Sequence, residues 1–275
     1  MLTSRVASQS TIAAIWRYPV KSMIGEALSA SDVNARGLLG DRAYALVDVE
    51  TGKVVSAKNP RKWGNLFEFR AAFVEPPNDT EALPAAQITF PDGATAKTNV
   101  ADIDERLSRS VGRPVRLASS VPDAPRIEGY WPDYEWLASP DQGFEVKLPP
   151  GTFFDGAVIH LVTTSTLDQL GSLSPHTRFD VARFRPNIVI EMAEANEAFV
   201  ENTWVDRTLS IGNEVRFHIE GPCPRCVMTT LPQGDLPKDP NVLRTIVQHN
   251  HGNVGVLATV LQGGRVQRGD AVSLE

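Results

Sequence analysis

The sequence has few cysteines, no long hydrophobic run and no excess of positive charge. Its only two cysteines, Cys223 and Cys226, argue against a small fold that depends on several disulfides. No segment has the roughly 20 apolar residues that span a bilayer, and the N-terminus lacks the apolar core and cleavage site of a signal peptide. A formal net charge of -6 argues against broad attraction to nucleic acid. We therefore expect a cytoplasmic protein that binds neither membranes nor nucleic acid.

The composition is that of a globular protein built mainly from short strands. Hydrophobic residues make up 42% of the chain and charged residues 22%, which excludes a coiled coil, a collagen-like rod and a largely disordered chain. Apolar runs between turn residues predict strands at 12–17, 43–49, 54–56, 66–73, 87–90, 115–117, 157–162, 187–191, 214–219, 227–231, 254–261 and 271–274. Helices are predicted at 102–111, 163–170 and 240–249. Short strands with few helices predict a mainly β fold with some α and a barrel-like core.

The chain divides into two parts joined by an irregular stretch. Residues 1–118 form one predicted β domain and residues 153–275 a second. Residues 119–152 are rich in Pro, Asp, Gly and aromatics and predict a long loop that is a linker or a lid. Trp131, Tyr134 and Trp136 favour a packed lid, because large rings gain stability by burial.

The run GPCPRC contains both cysteines at a spacing of three. In a reducing compartment this spacing indicates a metal or redox role before a structural disulfide. A thiolate binds soft transition metals, and Arg225 supplies a cation that lowers a thiol pKa if its side chain turns inward. A zinc site completed by His249 and His251 is a weaker alternative, because their spacing from Cys226 is poor for a zinc finger.

Several cations lie where strands begin or end. Lys21 and Ser22 in YPVKS suit an anion such as a phosphate, and Arg42 and Arg61 are further candidates of this kind. By default each of these residues would lie at the surface. Arg185 in FRPNIVI enters an apolar strand and needs a partner, because an unpaired buried charge is costly. That partner is either a carboxylate, such as Asp180 or Glu201, or the phosphate of a ligand.

The motifs YPVKS, GDRAYALVD, FRPNIVI, ENTW and PCPRCVMTT, in this order, resemble the MOSC proteins. The resemblance covers residues 11–275 and is closest to the subgroup that includes the mitochondrial amidoxime-reducing component. It implies an N-terminal β-barrel-like domain, a C-terminal MOSC β-barrel domain and a molybdenum cofactor. The cysteine after the arginine, here Cys226, would be the metal ligand and catalytic residue. The residues that match cofactor contacts are Lys21, Ser22, Arg42, Asp155, Arg185, Asn187, Arg225 and Thr229.

The resemblance also implies an activity. We expect an oxidoreductase that reduces small N-hydroxylated compounds by oxygen-atom transfer, with electrons from a separate reductase or small redox protein. A persulfide-carrying sulfur carrier and a non-catalytic cofactor-binding protein are the alternatives. Pyridoxal phosphate is associated with the family only in general, because no desulfurase domain with a Schiff-base lysine that would bind it is apparent in this chain. The chain has Val256 and Leu257 where the family has an aromatic residue.

Overall fold

A computed structural model describes residues 10–79, 82–136, 141–193 and 198–275. The strands are β1 (Thr11–Arg17), β2 (Glu26–Leu28), β3 (Ala30–Asn34), β4 (Gly37–Leu38), β5 (Ala45–Asp48), β6 (Arg70–Phe73), β7 (Ala86–Thr89), β8 (Thr95–Lys97), β9 (Val115–Ala118), β10 (Arg126–Trp131), β11 (Gln142–Lys147), β12 (Ile159–Thr163), β13 (Ile188–Glu191), β14 (Thr208–Ile211), β15 (Val215–Pro224), β16 (Asn253–Gln262), β17 (Gly264–Gln267) and β18 (Val272–Leu274). The helices are α1 (Pro60–Trp63), α2 (Ile103–Val111), α3 (Thr164–Leu173), α4 (Val181–Phe184) and α5 (Asn241–Asn250). Short 3-10 helices cover Leu66–Glu68, Val200–Trp204 and Val227–Thr230. The predicted mainly β fold is confirmed.

The largest sheet has eight strands in the order β18-β14-β15-β16-β12-β13-β1-β2. Its neighbours are antiparallel except β12 and β13, whose parallel pairing uses helix α3 in the crossover. A backbone bridge between Thr11 and Ala271 joins the start of β1 to the segment that precedes β18. The sheet therefore closes on itself, and its apolar interior includes Ile15, Leu161 and Phe217. Strand β1 thus lies among strands from the far end of the chain.

A second core lies under the remaining N-terminal strands. Trp63, Phe67 and Phe69 are buried in it, together with residues of helix α2. Val227 and Leu231, which follow the second cysteine, pack into the same core. The cysteine segment is therefore fixed between the two cores, and this position determines where a site can form.

Several predicted elements are confirmed with small shifts at their ends. Helix α3 begins after Thr163, whose Oγ1 accepts a hydrogen bond from Thr166 N at 3.2 Å, as a capping residue does. Helix α2 ends at Gly112, which has a φ of 76° and supplies the left-handed conformation that terminates a helix. Helix α5 starts one residue after Pro240.

Other predicted elements are wrong. Residues 119–152 contain the hairpin β10–β11, which the alternating exposure and many charged residues concealed. The stretch 66–73 begins as a 3-10 helix before β6, and 54–56 forms only isolated bridges at Val54. The predicted strand at 227–231 is a 3-10 helix, because Thr229 and Thr230 donate their hydroxyls to backbone carbonyls three residues earlier.

The domain boundaries at 118 and 152 stay predictions. No helix within the described residues is long and apolar enough to cross a membrane.

Candidate functional site

A cavity lies where the two cores meet, and its walls come from both parts of the chain. Of the candidate site residues that the sequence singled out, those that line it are Lys21, Ser22, Arg42, Asp155, Arg185, Asn187, Cys223, Arg225 and Cys226. The sequence did not single out Lys58, His160 or Arg183, which line the cavity as well. We call Lys21, Arg42, Lys58 and Arg185 the cationic wall, and His160, Cys223, Arg225 and Cys226 the sulfur wall.

Two lysines share one carboxylate in the cationic wall. Lys21 Nζ lies 2.5 Å from Asp155 Oδ1 and 2.7 Å from the Phe153 carbonyl oxygen, and Lys58 Nζ lies 3.1 Å from Asp155 Oδ2. Burial lowers the pKa of Lys21 to about 8, against the opposing effect of Asp155. Burial alone would raise the pKa of Asp155, but the two ammonium groups outweigh it and hold that pKa well below its usual range. The trio therefore retains one positive charge in excess.

The ring of Tyr18 supports the two arginines of the cationic wall. The guanidinium carbons of Arg42 and Arg185 lie 4.5 and 4.2 Å from the ring centroid. Arg42 forms an ion pair with the buried Asp41 carboxylate. Both arginines have left-handed backbones, with φ of 47° and 55°, a conformation that non-glycine residues seldom adopt. Two like charges are thus fixed side by side, and one of them lacks a carboxylate.

Arg185 is that arginine. Its Nη1 donates to the Met23 carbonyl oxygen at 2.7 Å, and no carboxylate of the described residues lies within ion-pair distance. The expected carboxylate partners are wrong: Asp180 accepts from Ala182 N as a helix cap, and Glu201 accepts from Thr163 and Thr166. Burial lowers the pKa of Arg185 to about 10. A buried cation without a carboxylate leaves the second sequence interpretation, an anionic ligand, as the better one.

Asn187 connects the walls. Its Oδ1 accepts from His160 N at 3.0 Å, and its Nδ2 donates to Asp41 Oδ2 at 2.8 Å. The backbone N–H of Asn187 also donates to the His160 carbonyl oxygen at 2.8 Å. Because the side-chain amide already has protein partners, Asn187 positions Arg42, through Asp41, and His160. Ser22 acts similarly, since its Oγ accepts from Ala57 N at 3.2 Å, next to Lys58.

The sulfur wall places Arg225 against one thiol and leaves the other partly exposed. Arg225 Nη1 lies 2.9 Å from Cys223 Sγ, and its Nη2 donates to the Phe184 carbonyl oxygen at 2.8 Å. Burial would raise the pKa of Cys223, but the charges of His160 and Arg225 outweigh burial and lower it to about 6. Cys226 is half-buried and precedes the 3-10 helix Val227–Thr230. The arginine thus turns inward as the sequence analysis required, but towards Cys223.

Thr229 is the one predicted contact that does not line the cavity. It is fully buried, and its Oγ1 donates to the Cys226 carbonyl oxygen at 3.0 Å. Burial keeps its hydroxyl away from the cavity, and its contact with a cofactor stays a prediction. Its hydrogen bond instead fixes the backbone that carries Cys226.

Three other candidates lie elsewhere. Arg61 is exposed, pairs with Asp141 and covers the ring of Tyr130, away from the cavity. His249 and His251 are exposed at the end of α5, and the described part of the chain holds no group of three or more His, Cys, Asp or Glu side chains placed to bind a metal ion. The zinc alternative therefore has no support in the structure.

The hairpin β10–β11 supports the site from behind. Tyr130 N donates to the Lys58 carbonyl oxygen at 2.8 Å, and Glu128 forms ion pairs with Lys53 and Lys62. Between 119 and 152, the residues with described positions do not line the cavity. A lid role for this stretch has no support, but the aromatic packing expected there occurs, since Trp131 packs on Phe144 with ring centroids 5.3 Å apart.

The fold and the cavity define a class of protein with two β parts and a cationic, thiol-lined cavity between them. Family models assign the chain within that class. The model described as MOSC N-terminal beta barrel domain matches residues 9–108, and the one described as MOSC domain matches residues 150–273. The chain therefore belongs to the MOSC family and has both of these domains.

The chain is also similar to individual proteins. The chain is 27% identical over 244 residues to "Mitochondrial amidoxime reducing component 2" of Homo sapiens, covering 82% of this chain and 68% of that protein. It is 24% identical over 291 residues to "Molybdenum cofactor sulfurase" of Oryza sativa subsp. japonica, covering 94% of this chain and 33% of the relative. Among solved structures, the YUAD protein from Bacillus subtilis covers 97% of this chain and is itself covered to 95%, with a TM-score of 0.48 and 10% identity.

Proposed function

We propose that the protein binds a molybdenum cofactor and reduces small N-hydroxylated compounds by oxygen-atom transfer. The observation that carries the proposal is one cavity with a partly exposed thiol, Cys226, opposite cations that exceed the nearby carboxylates. A separate electron-donor protein would supply the electrons. The resemblance to a protein named for amidoxime reduction supports the substrate class.

The donor set of the cavity fits a cofactor that joins a soft metal to a phosphate. A cysteine sulfur is a ligand that molybdenum accepts, and Cys226 offers one at the cavity surface. The cationic wall offers Arg185, a guanidinium without a carboxylate, whose fork matches phosphate oxygens. Arg225 Nε is buried without a hydrogen-bond partner among the described residues, as expected where a further acceptor is needed.

Each wall would have its own task in the bound state. Cys226 would hold the metal, and Lys21, Lys58, Arg42 and Arg185 would hold the anionic part of the cofactor. The cofactor, when bound, supplies two-electron oxygen-atom chemistry, and the protein supplies position and electrostatics. Reduction of an N–OH group to N–H also consumes two protons and releases water. Leu257 and Met228 would keep part of the cavity wall apolar and dry.

Sulfur transfer is a second candidate, and one observation favours it. Cys223 has the acidic thiol that a persulfide carrier needs, and some relatives are named as molybdenum cofactor sulfurases. A sulfur carrier would hold an added sulfur atom and no stoichiometric molybdenum. Non-catalytic cofactor binding would give stoichiometric molybdenum without turnover.

Elemental analysis of the purified protein tests the proposal. We expect molybdenum near one equivalent, and reduction of benzamidoxime with a chemical electron donor. Cys226→Ser should lose both, because a hydroxyl is a poor ligand for a soft metal. His249→Ala is the matched control and should keep the metal, since His249 is exposed and outside the cavity. Full molybdenum content in Cys226→Ser would contradict the ligand role.

A further inference from the structure

The two cysteines of the sulfur wall occupy different environments. Cys223 is 8% exposed and lies near the end of strand β15, whereas Cys226 is half-buried at the following turn. Access alone would make Cys226 the thiol that reacts first with a reagent in solution. The hydrogen-bond donor supplied by Arg225, however, lies against Cys223.

Two side chains stabilise a negative charge on Cys223. Arg225 Nη1 lies 2.9 Å from its Sγ, and the charge of His160 also lowers the pKa of this thiol. A charge-assisted hydrogen bond such as that of Arg225 favours the thiolate, which is the nucleophilic form of cysteine. Cys223, His160 and Arg225 line the same cavity, so this sulfur can be reached by a small molecule that enters it.

The strand that pairs with β12 is shaped to accept the His160 ring. His160 Nε2 lies 3.1 Å from the Val254 carbonyl oxygen, and Nε2 donates in this bond because a carbonyl oxygen can only accept. A Cβ atom at Gly255 would lie 2.6 Å from Nε2 and 2.2 Å from the Leu161 carbonyl oxygen. Gly255 also has a φ of 75°, which glycine adopts readily. The backbone around Gly255 therefore leaves room for the imidazole beside Cys223.

We propose that Cys223 is a second, nucleophilic thiolate site, which reacts with small soft electrophiles that enter the cavity, and that His160 is its positioning residue. This site is separate from the metal-ligand role proposed for Cys226 and exists in the metal-free protein. In an alkylation, the Cys223 sulfur forms a bond to carbon, the bond from carbon to the leaving group breaks, and the leaving group departs with its electron pair. The adduct would displace Arg225 from the sulfur and occupy part of the cavity.

The charged groups around the Cys223 sulfur are positive, and they favour the thiolate that the proposal requires. The pKa of Cys223 falls to about 6, because His160 and Arg225 together outweigh burial. Lys58 faces both sulfur atoms from the opposite wall. Since the thiolate exists above its pKa, the reactivity of Cys223 should rise through about pH 6 and be near its maximum at neutral pH.

Competitive alkylation of the metal-free protein tests the site. Limiting iodoacetamide is added at neutral pH, and peptide mass spectrometry measures which cysteine is modified. We expect Cys223 to be modified first, because at neutral pH a thiol with a pKa near 6 reacts about two- to threefold faster than one with an ordinary pKa, its larger thiolate fraction outweighing its lower intrinsic nucleophilicity. Faster modification of Cys226 would mean that exposure governs the reaction, and the proposal would be overturned.

Single-cysteine variants isolate each sulfur. In Cys226→Ser, the rate of Cys223 alkylation should have a midpoint near pH 6, and a midpoint near the ordinary value of about 8.5 would contradict the thiolate. Adding His160→Gln should move this midpoint to higher pH, because one charge that lowers the pKa of Cys223 is lost. The same change in the Cys223→Ser background should leave Cys226 alkylation unaltered.

The outcomes separate this site from the proposed function. Circular dichroism checks that the variants are folded, and a misfolded His160→Gln protein leaves the pH profile of Cys226→Ser as the deciding measurement. An acidic Cys223 in a protein that never binds molybdenum would support the site and contradict the proposed function. An ordinary Cys223 in a molybdenum-containing protein would do the reverse.

Discussion

Two arginines at the end of helix α4 use the same residue type for opposite purposes. On the buried side, Arg183 touches the cavity wall but has no exposed surface, and it donates to the carbonyl oxygens of Arg178, Thr229, Leu231 and Pro237. On the cavity side, Arg185, which directly follows the helix, has one carbonyl acceptor and stacks on Tyr18 close to Arg42. An arginine with its donors used by carbonyls stabilises the fold, whereas one with donors to spare can bind a ligand.

The largest expected effect comes from replacing Arg183, on the buried side, and is a loss of stability. Arg183→Met should lower the free energy of unfolding by about 3 kcal/mol or more, because it leaves several buried carbonyl groups without donors. Urea unfolding of the metal-free protein measures the change. Arg178→Met is the control and should have little effect, since its ion pair with Asp235 is exposed. A nearly unchanged free energy of unfolding in Arg183→Met would contradict this prediction and would show that water replaces the guanidinium.

Replacing Arg185, on the cavity side, should have a smaller effect, and that effect should be on ligand binding. Arg185→Met should weaken sulfate binding to the metal-free protein about 10- to 100-fold, since a charge-assisted contact is lost. Stability should fall by only about 1 kcal/mol, because a single carbonyl, that of Met23, loses its donor and the buried cation has no carboxylate partner to lose. Calorimetric titration and urea unfolding of one preparation give both values. A large loss of stability with unchanged sulfate affinity would make the two arginines alike.

The smallest effect is a pH dependence that belongs to Lys21. Its pKa of about 8 means that the ammonium loses its proton as the pH rises through that value, so sulfate affinity should fall several-fold. Sulfate keeps its charge over this range, and Arg185, with a pKa of about 10, stays charged. Lys21→Met should bind more weakly and lose the pH dependence. An unchanged slope in Lys21→Met would assign the titration to another group.

Local motifs predicted much of the site, because each of them lies at a strand end or turn that faces the cavity. YPVKS follows strand β1, FRPN precedes β13 and CPRC spans the end of β15. Lys58 and His160 escaped prediction because long-range contacts place them. Lys58 is positioned by the backbone of Tyr130, and His160 by Asn187 and the space above Gly255. No local pattern encodes either contact.

The fold was predicted well where the hydrophobic periodicity is strong, and poorly where the strands are rich in polar residues. Helix α2 places Ile103, Leu107 and Val111 on one buried face, which the sequence displays directly. The hairpin β10–β11 contains several charged and glycine residues, and Glu128 in it forms ion pairs with Lys53 and Lys62. Its strands could not be recognised before those partners were known.

The closure of the large sheet constrains how the chain can fold during synthesis. Trp16 in β1 contacts Asn187, 171 positions later, and Thr11 pairs with Ala271. Strand β1 leaves the ribosome soon before β2 but long before β13 and the segment that precedes β18, so its apolar face stays uncovered meanwhile. Contacts so distant along the chain form slowly, because the entropy of closing a long loop opposes them. A chaperone that binds extended apolar segments would find β1 available throughout this interval.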